Sequence, residues 1–243
     1  MKKKSILICL SMMIVFALIG CYLYEDFYRT PKEDLHQPKQ DEVIKTIPQS
    51  DENSYLILVN RSNRLDADYQ PSDLVLLNVF DFNQNPNTTI HMRATAAQKA
   101  EEMFQAAWDQ EGLLLLARSG YRSYQTQTQV HERLVNERGR VEAERISARP
   151  GHSEHQTGLA LDVTANSVRG QLVESFSETL EGTWLRHHAH QFGFIISYPR
   201  GREEDTGFVY EPWHIRYVGV EVATIIYENG WILEEYLAKG GGL

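Results

Sequence analysis

The sequence predicts an α+β fold, in which a small, mainly antiparallel sheet is packed by flanking helices. Helical spacing of apolar residues is one observation behind this, as in Ala100, Phe104, Ala107 and Trp108, closed by Gly112. The other is a set of short apolar or alternating runs, at 113–117, 159–163 and 194–198, that read as strands. With 243 residues, 42% of them hydrophobic, the chain can bury a sizeable core. One large domain behind an N-terminal extension fits this length.

That extension opens with Lys2, Lys3 and Lys4 before an apolar run over 6–19, the charged and hydrophobic regions of an export signal. Leu18-Ile19-Gly20-Cys21 resembles a bacterial lipobox, and cleavage there leaves a lipidated Cys21 as anchor. Uncleaved, the run to Tyr24 approaches the roughly 20 residues of a membrane-spanning helix, with the preceding lysines placing the remainder outside. Either reading puts an anchor at 1–24 and the bulk of the chain, expected as a monomer, on the extracytoplasmic face of a bacterial cell membrane. Residues 25–54 are rich in Pro, Lys, Asp, Glu and Gln and poor in aromatics, the composition of a flexible tether. The folded domain is expected over 55–239. Both cysteines, Cys9 and Cys21, lie in the anchor, so the exported domain holds no disulfide. A net charge of −9 without a basic patch excludes electrostatic binding of nucleic acid.

Within the domain, 55–59 reads as a short apolar strand and 74–82 as another extended stretch, followed by a turn at 83–87. Thr95-x-x-Gln98 has the form of a capping box, with Phe104 and Trp108 expected in the core. The strand at 113–117 delivers Arg118 to Arg122 at its end, where turns tend to carry binding residues. Residues 124–146 read as a long polar helix broken near Gly139, and 175–192 as a second helix. On the latter, His187 and His190 share a face, which is expected to be helix surface rather than a metal site. A polar loop at 199–207 is expected to rim the cleft, helical spacing resumes over 218–227, and 234–237 closes the domain.

The chemistry concentrates in Gly151-His152-Ser153-Glu154-His155-Gln156-Thr157-Gly158-Leu159-Ala160-Leu161-Asp162 and, far downstream, Glu211-Pro212-Trp213-His214. Two imidazoles and a carboxylate are the usual protein ligands of a catalytic zinc, whose fourth position stays open. His155, Asp162 and His214 are the candidates. The small Gly158 and Ala160 are expected where backbone approaches the metal, and alternation with Leu159, Leu161 and Val163 suggests a half-buried strand. Pro212 argues against a helix through Glu211 and His214. A turning segment can therefore hold His214 on the metal and leave Glu211 free to take a proton from a metal-activated water, with Trp213 as wall.

These residues, Ser153-x-His155-x-x-Gly158-x-Ala160-x-Asp162 and Glu211-x-Trp213-His214, resemble the signature of the LAS metallopeptidases, whose fold is hedgehog-like. The resemblance is closest to the VanY-type D-alanyl-D-alanine carboxypeptidases. It extends to Ser119-Gly120-Tyr121-Arg122-Ser123, Phe192-Gly193-Phe194 and Arg216-Tyr217-Val218-Gly219, and covers about 56–237. It implies zinc on His155, Asp162 and His214, Glu211 as catalytic base, and Arg122 reaching the substrate with Ser153 and Gln127 as further contacts. The implied activity removes C-terminal D-alanine from peptidoglycan stem peptides, at a D,D bond more readily than an L,D bond. Two alternatives stay open: an endopeptidase of peptidoglycan cross-links, and a zinc-bearing binding module without catalysis.

Overall fold

A computed structural model describes residues 55–80 and 89–241. The expected anchor, tether and 83–87 turn lie outside these residues. Two antiparallel sheets form. β1 (Leu74–Leu76) pairs with β2 (His91–Arg93). The larger sheet has the order β3-β4-β6-β5, built from β3 (Leu116–Ser119), β4 (Ala160–Thr164), β5 (Phe194–Ile196) and β6 (His214–Tyr217), all antiparallel. This is the α+β class that the sequence predicts.

The two faces of that sheet divide the labour. Leu161 and Val163 of β4 and Ile215 and Tyr217 of β6 enter the main apolar cluster, whereas the alternating Asp162, His214 and Arg216 point to the opposite face. Against the apolar face packs α1 (Ala94–Glu111), through Ala96, Ala97, Ala100, Met103, Phe104 and Ala107. Trp184 and Leu185 of α4 (Leu180–His188) join the same cluster. Burying each such Leu or Phe is worth about 1.5–3 kcal/mol, so this face anchors the strands that carry the polar residues above it. α2 (Tyr124–Arg138) and α3 (Arg140–Ile146) border the polar face, so helices are not confined to one side. They meet at Gly139, whose φ of 80° and ψ of 158° leave the helical region, which is the break expected there. After the short α5 (Glu203–Thr206), α6 (Val220–Asn229) and α7 (Leu233–Ala238) form a second cluster with Leu56 and Ile195.

Several local expectations are corrected. Residues 56–59 form no strand: Leu56 and Val59 are buried, but the carbonyls of Tyr55 and Ile57 accept from the Arg216 guanidinium. The N-cap of α1 is Arg93, without a side-chain cap, and Thr95 lies inside the first turn, where its hydroxyl accepts from Tyr55. Trp108 is 55% exposed, since one residue beyond Ala107 is about 100° further round the helix and off the buried stripe. β3 starts three residues later than 113. The 175–192 segment is helical in pieces, with 3₁₀ turns Glu174–Glu178 and Ala189–Phe192 around α4. β4 is buried on both faces rather than half-buried, because a polar cluster covers its second side. Gly158 closes the 3₁₀ turn Glu154–Thr157 at φ +71°, and a Cβ there would stand 2.9 Å from Leu74 Cδ2. Its small size therefore serves the left-handed turn and the β1–β2 packing rather than approach to a metal.

Candidate metal centre

Pairing of β4 with β6 sets Asp162 opposite His214, and the 3₁₀ turn before β4 brings in His155. Their potential ligand atoms all lie within 4.8 Å of one another. His155 Nε2 is 3.3 Å from Asp162 Oδ2, and His214 Nδ1 is 3.0 Å from Asp162 Oδ1. The imidazoles meet edge to face, with centroids 4.9 Å apart. All three residues are buried. The donor set fits zinc, because each imidazole has one nitrogen turned inward and the other occupied by a protein acceptor. His155 Nδ1 donates to Gly120 O at 2.7 Å, and His214 Nε2 donates to Glu154 Oε2 at 2.9 Å.

Electrostatics follow from this crowding. Burial alone would lower the His214 pKa, yet its hydrogen bonds to Asp162 and Glu154 carry it up to about 10. Burial, aided by the Arg122 charge, takes His155 down to about 4. For Asp162, burial opposes ionisation but the two histidines outweigh it and hold the carboxyl well below its usual range.

Arg122 follows β3, whose register shifts next to the site between Ala117 and Ser119. The turn is stitched to the centre: Arg122 N donates to His155 O at 3.1 Å, and Tyr121 N to His91 O at 2.7 Å. Gly120 is required there, since a Cβ would stand 2.5 Å from His91 O. The guanidinium gives Nη1 to Gln127 Oε1 at 2.9 Å and places Nη2 3.8 Å from Asp162 Oδ2, while its buried Nε has no partner. Gln127 lies beside Arg122 at the groove. It is 1% exposed, and its amide nitrogen is engaged by Ala148 O at 2.7 Å and Ser147 Oγ at 3.3 Å. Its donors are thus engaged by protein, and its carbonyl holds Arg122 at the groove that both residues line.

Glu211-Pro212-Trp213-His214 is a tight turn, with His214 N donating to Glu211 O at 3.1 Å and Pro212 at the position that favours proline. Burial raises the Glu211 carboxyl to about 7, against the pull of His214 and Arg122. A groove of about 380 Å³ joins these groups, lined by Arg122, Ser153, Glu211 and Trp213 around the three ligands. It continues along α2 past Val130 and Leu134. Phe208 and Val209, not the 199–207 loop, form the opposite wall. Within that loop Arg202 pairs with Asp205 and with Glu235 of α7, each at 2.7 Å.

Sequence reasoning assigned no role to Glu154, Tyr198 and Arg216. Tyr198 stacks on His214 at 4.8 Å. Arg216 is fully buried and pairs with Glu154 at 3.1 Å. A signal existed for Arg216: in a strand, residue 216 shares the face of residue 214. The rival histidines behave as surface, since His187 bonds the Tyr227 hydroxyl and His190 stacks on the same ring at 3.9 Å. Among the described residues, the His155, Asp162 and His214 group is the one arrangement able to hold a metal.

A structural ion would be enclosed by four protein ligands, whereas here three ligands face an open groove with a carboxyl poised beside them. That arrangement defines a hydrolytic zinc site of the peptidase kind. The family model for VanY, D-alanyl-D-alanine carboxypeptidase, matches residues 89–220, and the chain belongs to this family. YodJ of Bacillus subtilis, a carboxypeptidase by provisional name, is 43% identical over 202 residues, covering 83% of this chain and 72% of that protein. The D-alanyl-D-alanine carboxypeptidase of Enterococcus faecalis is 35% identical over 210 residues, covering 82% and 72%. The LdcB LD-carboxypeptidase superposes with a TM-score of 0.72 at 41% identity, covering 78% of this chain and 88% of its own. VanYB in complex with D-alanine-D-alanine gives 0.64 at 36%, covering 76% and 97%. A zinc complex of the vancomycin-resistance D,D-pentapeptidase VanY is also among the solved relatives.

Proposed function

We propose that this chain is a zinc-dependent carboxypeptidase that releases a C-terminal D-alanine from peptidoglycan stem peptides. One observation carries the reading: Glu211, Arg122 and the ligand triad line a single groove. Zinc held by His155, Asp162 and His214 supplies a Lewis acid that polarises the scissile carbonyl and acidifies a water. The remaining work belongs to the chain. Glu211, with a carboxyl near 7, accepts a proton from the attacking water and returns it to the leaving amine. Arg122, held by Gln127, lines the groove and offers its guanidinium donors to the terminal carboxylate or the scissile carbonyl. Ser153 adds a hydroxyl at the groove, and Trp213 walls off water.

The D,D bond of a pentapeptide is the favoured substrate, supported by the family model and the enterococcal relative. The L,D bond of a tetrapeptide is the second reading, favoured by the likeness to LdcB. The retained Glu211 argues against a module without catalysis. Placement outside the cell, held at the membrane by Cys21 or by an N-terminal helix, is supported by Lys2 to Lys4 and the apolar run after them. No helix among the described residues is long and apolar enough to cross a membrane. The domain is proposed to act as a monomer. The testing variant is Glu211→Gln: it should stay folded and zinc-loaded while turnover falls roughly a hundredfold or more. Turnover near wild type would remove Glu211 from the mechanism and reopen the binding-module reading.

A further inference from the structure

Two charged groups at the centre are neither ligand, base nor substrate contact. Glu154 is 5% exposed and Arg216 0%. Withdrawing such ions from water costs several kcal/mol each, and apolar residues of similar volume would serve stability as well or better. Their geometry indicates a different use. Glu154 Oε2 meets His214 Nε2 at 2.9 Å, while its Oε1 takes Arg216 Nη1 at 3.1 Å. Arg216 Nη2 donates to Tyr55 O at 3.0 Å and to Ile57 O at 2.9 Å, and Nε to Tyr217 O at 3.2 Å. A relay therefore runs from the first described residues, where the chain enters the domain, to the far nitrogen of a metal ligand.

We infer that Glu154 is a positioning residue for the metal, holding the hydrogen of His214 on Nε2 so that Nδ1 faces the ion, and that Arg216 anchors Glu154 for this task through the 55–57 backbone. The alternative arrangement explains the need. His214 Nδ1 is 3.0 Å from Asp162 Oδ1, so a hydrogen on Nδ1 would bond the two ligands to each other and close the site. Glu154 offers the competing acceptor on the other side of the ring. A ligand histidine oriented by a buried carboxylate typically loses ten- to a hundredfold in metal affinity when that partner is removed. The inference rests on the zinc site proposed above and extends it to two side chains that are not themselves ligands.

The test measures zinc dissociation by chelator competition across pH, which separates the proton released by His214 from the intrinsic affinity, for the full chain and for its Glu154→Gln and Arg216→Lys variants. Thermal stability without metal and the visible spectrum of the cobalt(II) forms are recorded beside it. Glu154→Gln should weaken zinc about ten- to a hundredfold and shift the cobalt bands, with Arg216→Lys changing both in the same direction by less. Lowered metal-free stability with unchanged zinc affinity and cobalt spectrum would overturn the inference and leave a structural ion pair. Should Glu154→Gln not fold, nitrogen-15 shifts of His214 in the zinc-loaded wild type decide. A hydrogen-bonded proton on Nε2 supports the assignment, and a proton on Nδ1 refutes it. Failure of the wild type to bind zinc would sink the zinc reading itself, a result distinct from wild-type binding that the variants leave intact.

Discussion

Zinc uptake should be coupled to the loss of a proton from His214, and the coupling has a definite size. In the metal-free chain both ring nitrogens of His214 face carboxylates, and its pKa stands up at about 10, so at pH 7 the ring is protonated. A metal on Nδ1 must displace that proton. The displaced proton lowers apparent zinc affinity about tenfold for each pH unit below that raised pKa. The sign follows from where the proton sits: it is bound without metal and released with it, so affinity rises with pH until about 10. His155, down at about 4, is already neutral across the useful range and adds nothing. Between pH 7.5 and 8.5 the apparent affinity should therefore climb about tenfold per pH unit. Chelator competition across pH gives the slope, and calorimetry in two buffers of different ionisation enthalpy counts the protons. A flat profile with buffer-independent heats would refute the pairing of His214 with both carboxylates.

Other outcomes follow from single contacts. Arg122→Lys should retain zinc but lose about ten- to a hundredfold in kcat/KM, because a point charge replaces a fork whose charge-assisted bonds are worth about 1.5–3 kcal/mol; steady-state kinetics with metal analysis checks this. Gly120→Ala pushes a Cβ to 2.5 Å from His91 O in the turn that receives the His155 hydrogen bond. It should cost about 1–3 kcal/mol in denaturant unfolding and reduce activity as well.

How much the sequence discloses depends on whether a residue's role is local. His155, Asp162 and His214 were legible because ligand chemistry and short spacings mark them, and the antiparallel pairing of 162 with 214 completes what spacing cannot show. Glu211 was legible through Pro212, which forces the turn. Glu154 was not, and Arg216 only through the strand face it shares with His214, since a Glu and an Arg separated by 62 residues look like two solvated charges until folding buries them together. The same pair explains the misread strand at 55–59: its apolar composition is real, but Arg216 takes the carbonyls a ladder would need. Thr95 misled because a capping pattern also fits one turn inside a helix, where Tyr55 uses the hydroxyl. For Gln127, spacing cannot say how its amide is shared between the groove and the arginine beside it, and the structure adds its bond to Arg122.

The most direct measurement offers defined pentapeptide and tetrapeptide stems, and cross-linked dimers, to the full chain in detergent with zinc present, and identifies the products by mass. Release of one D-alanine from the pentapeptide in preference to the tetrapeptide, abolished by chelation and restored by zinc, is the predicted result. Cleavage of neither stem, with cuts appearing only within the cross-linked dimers, would contradict the carboxypeptidase assignment.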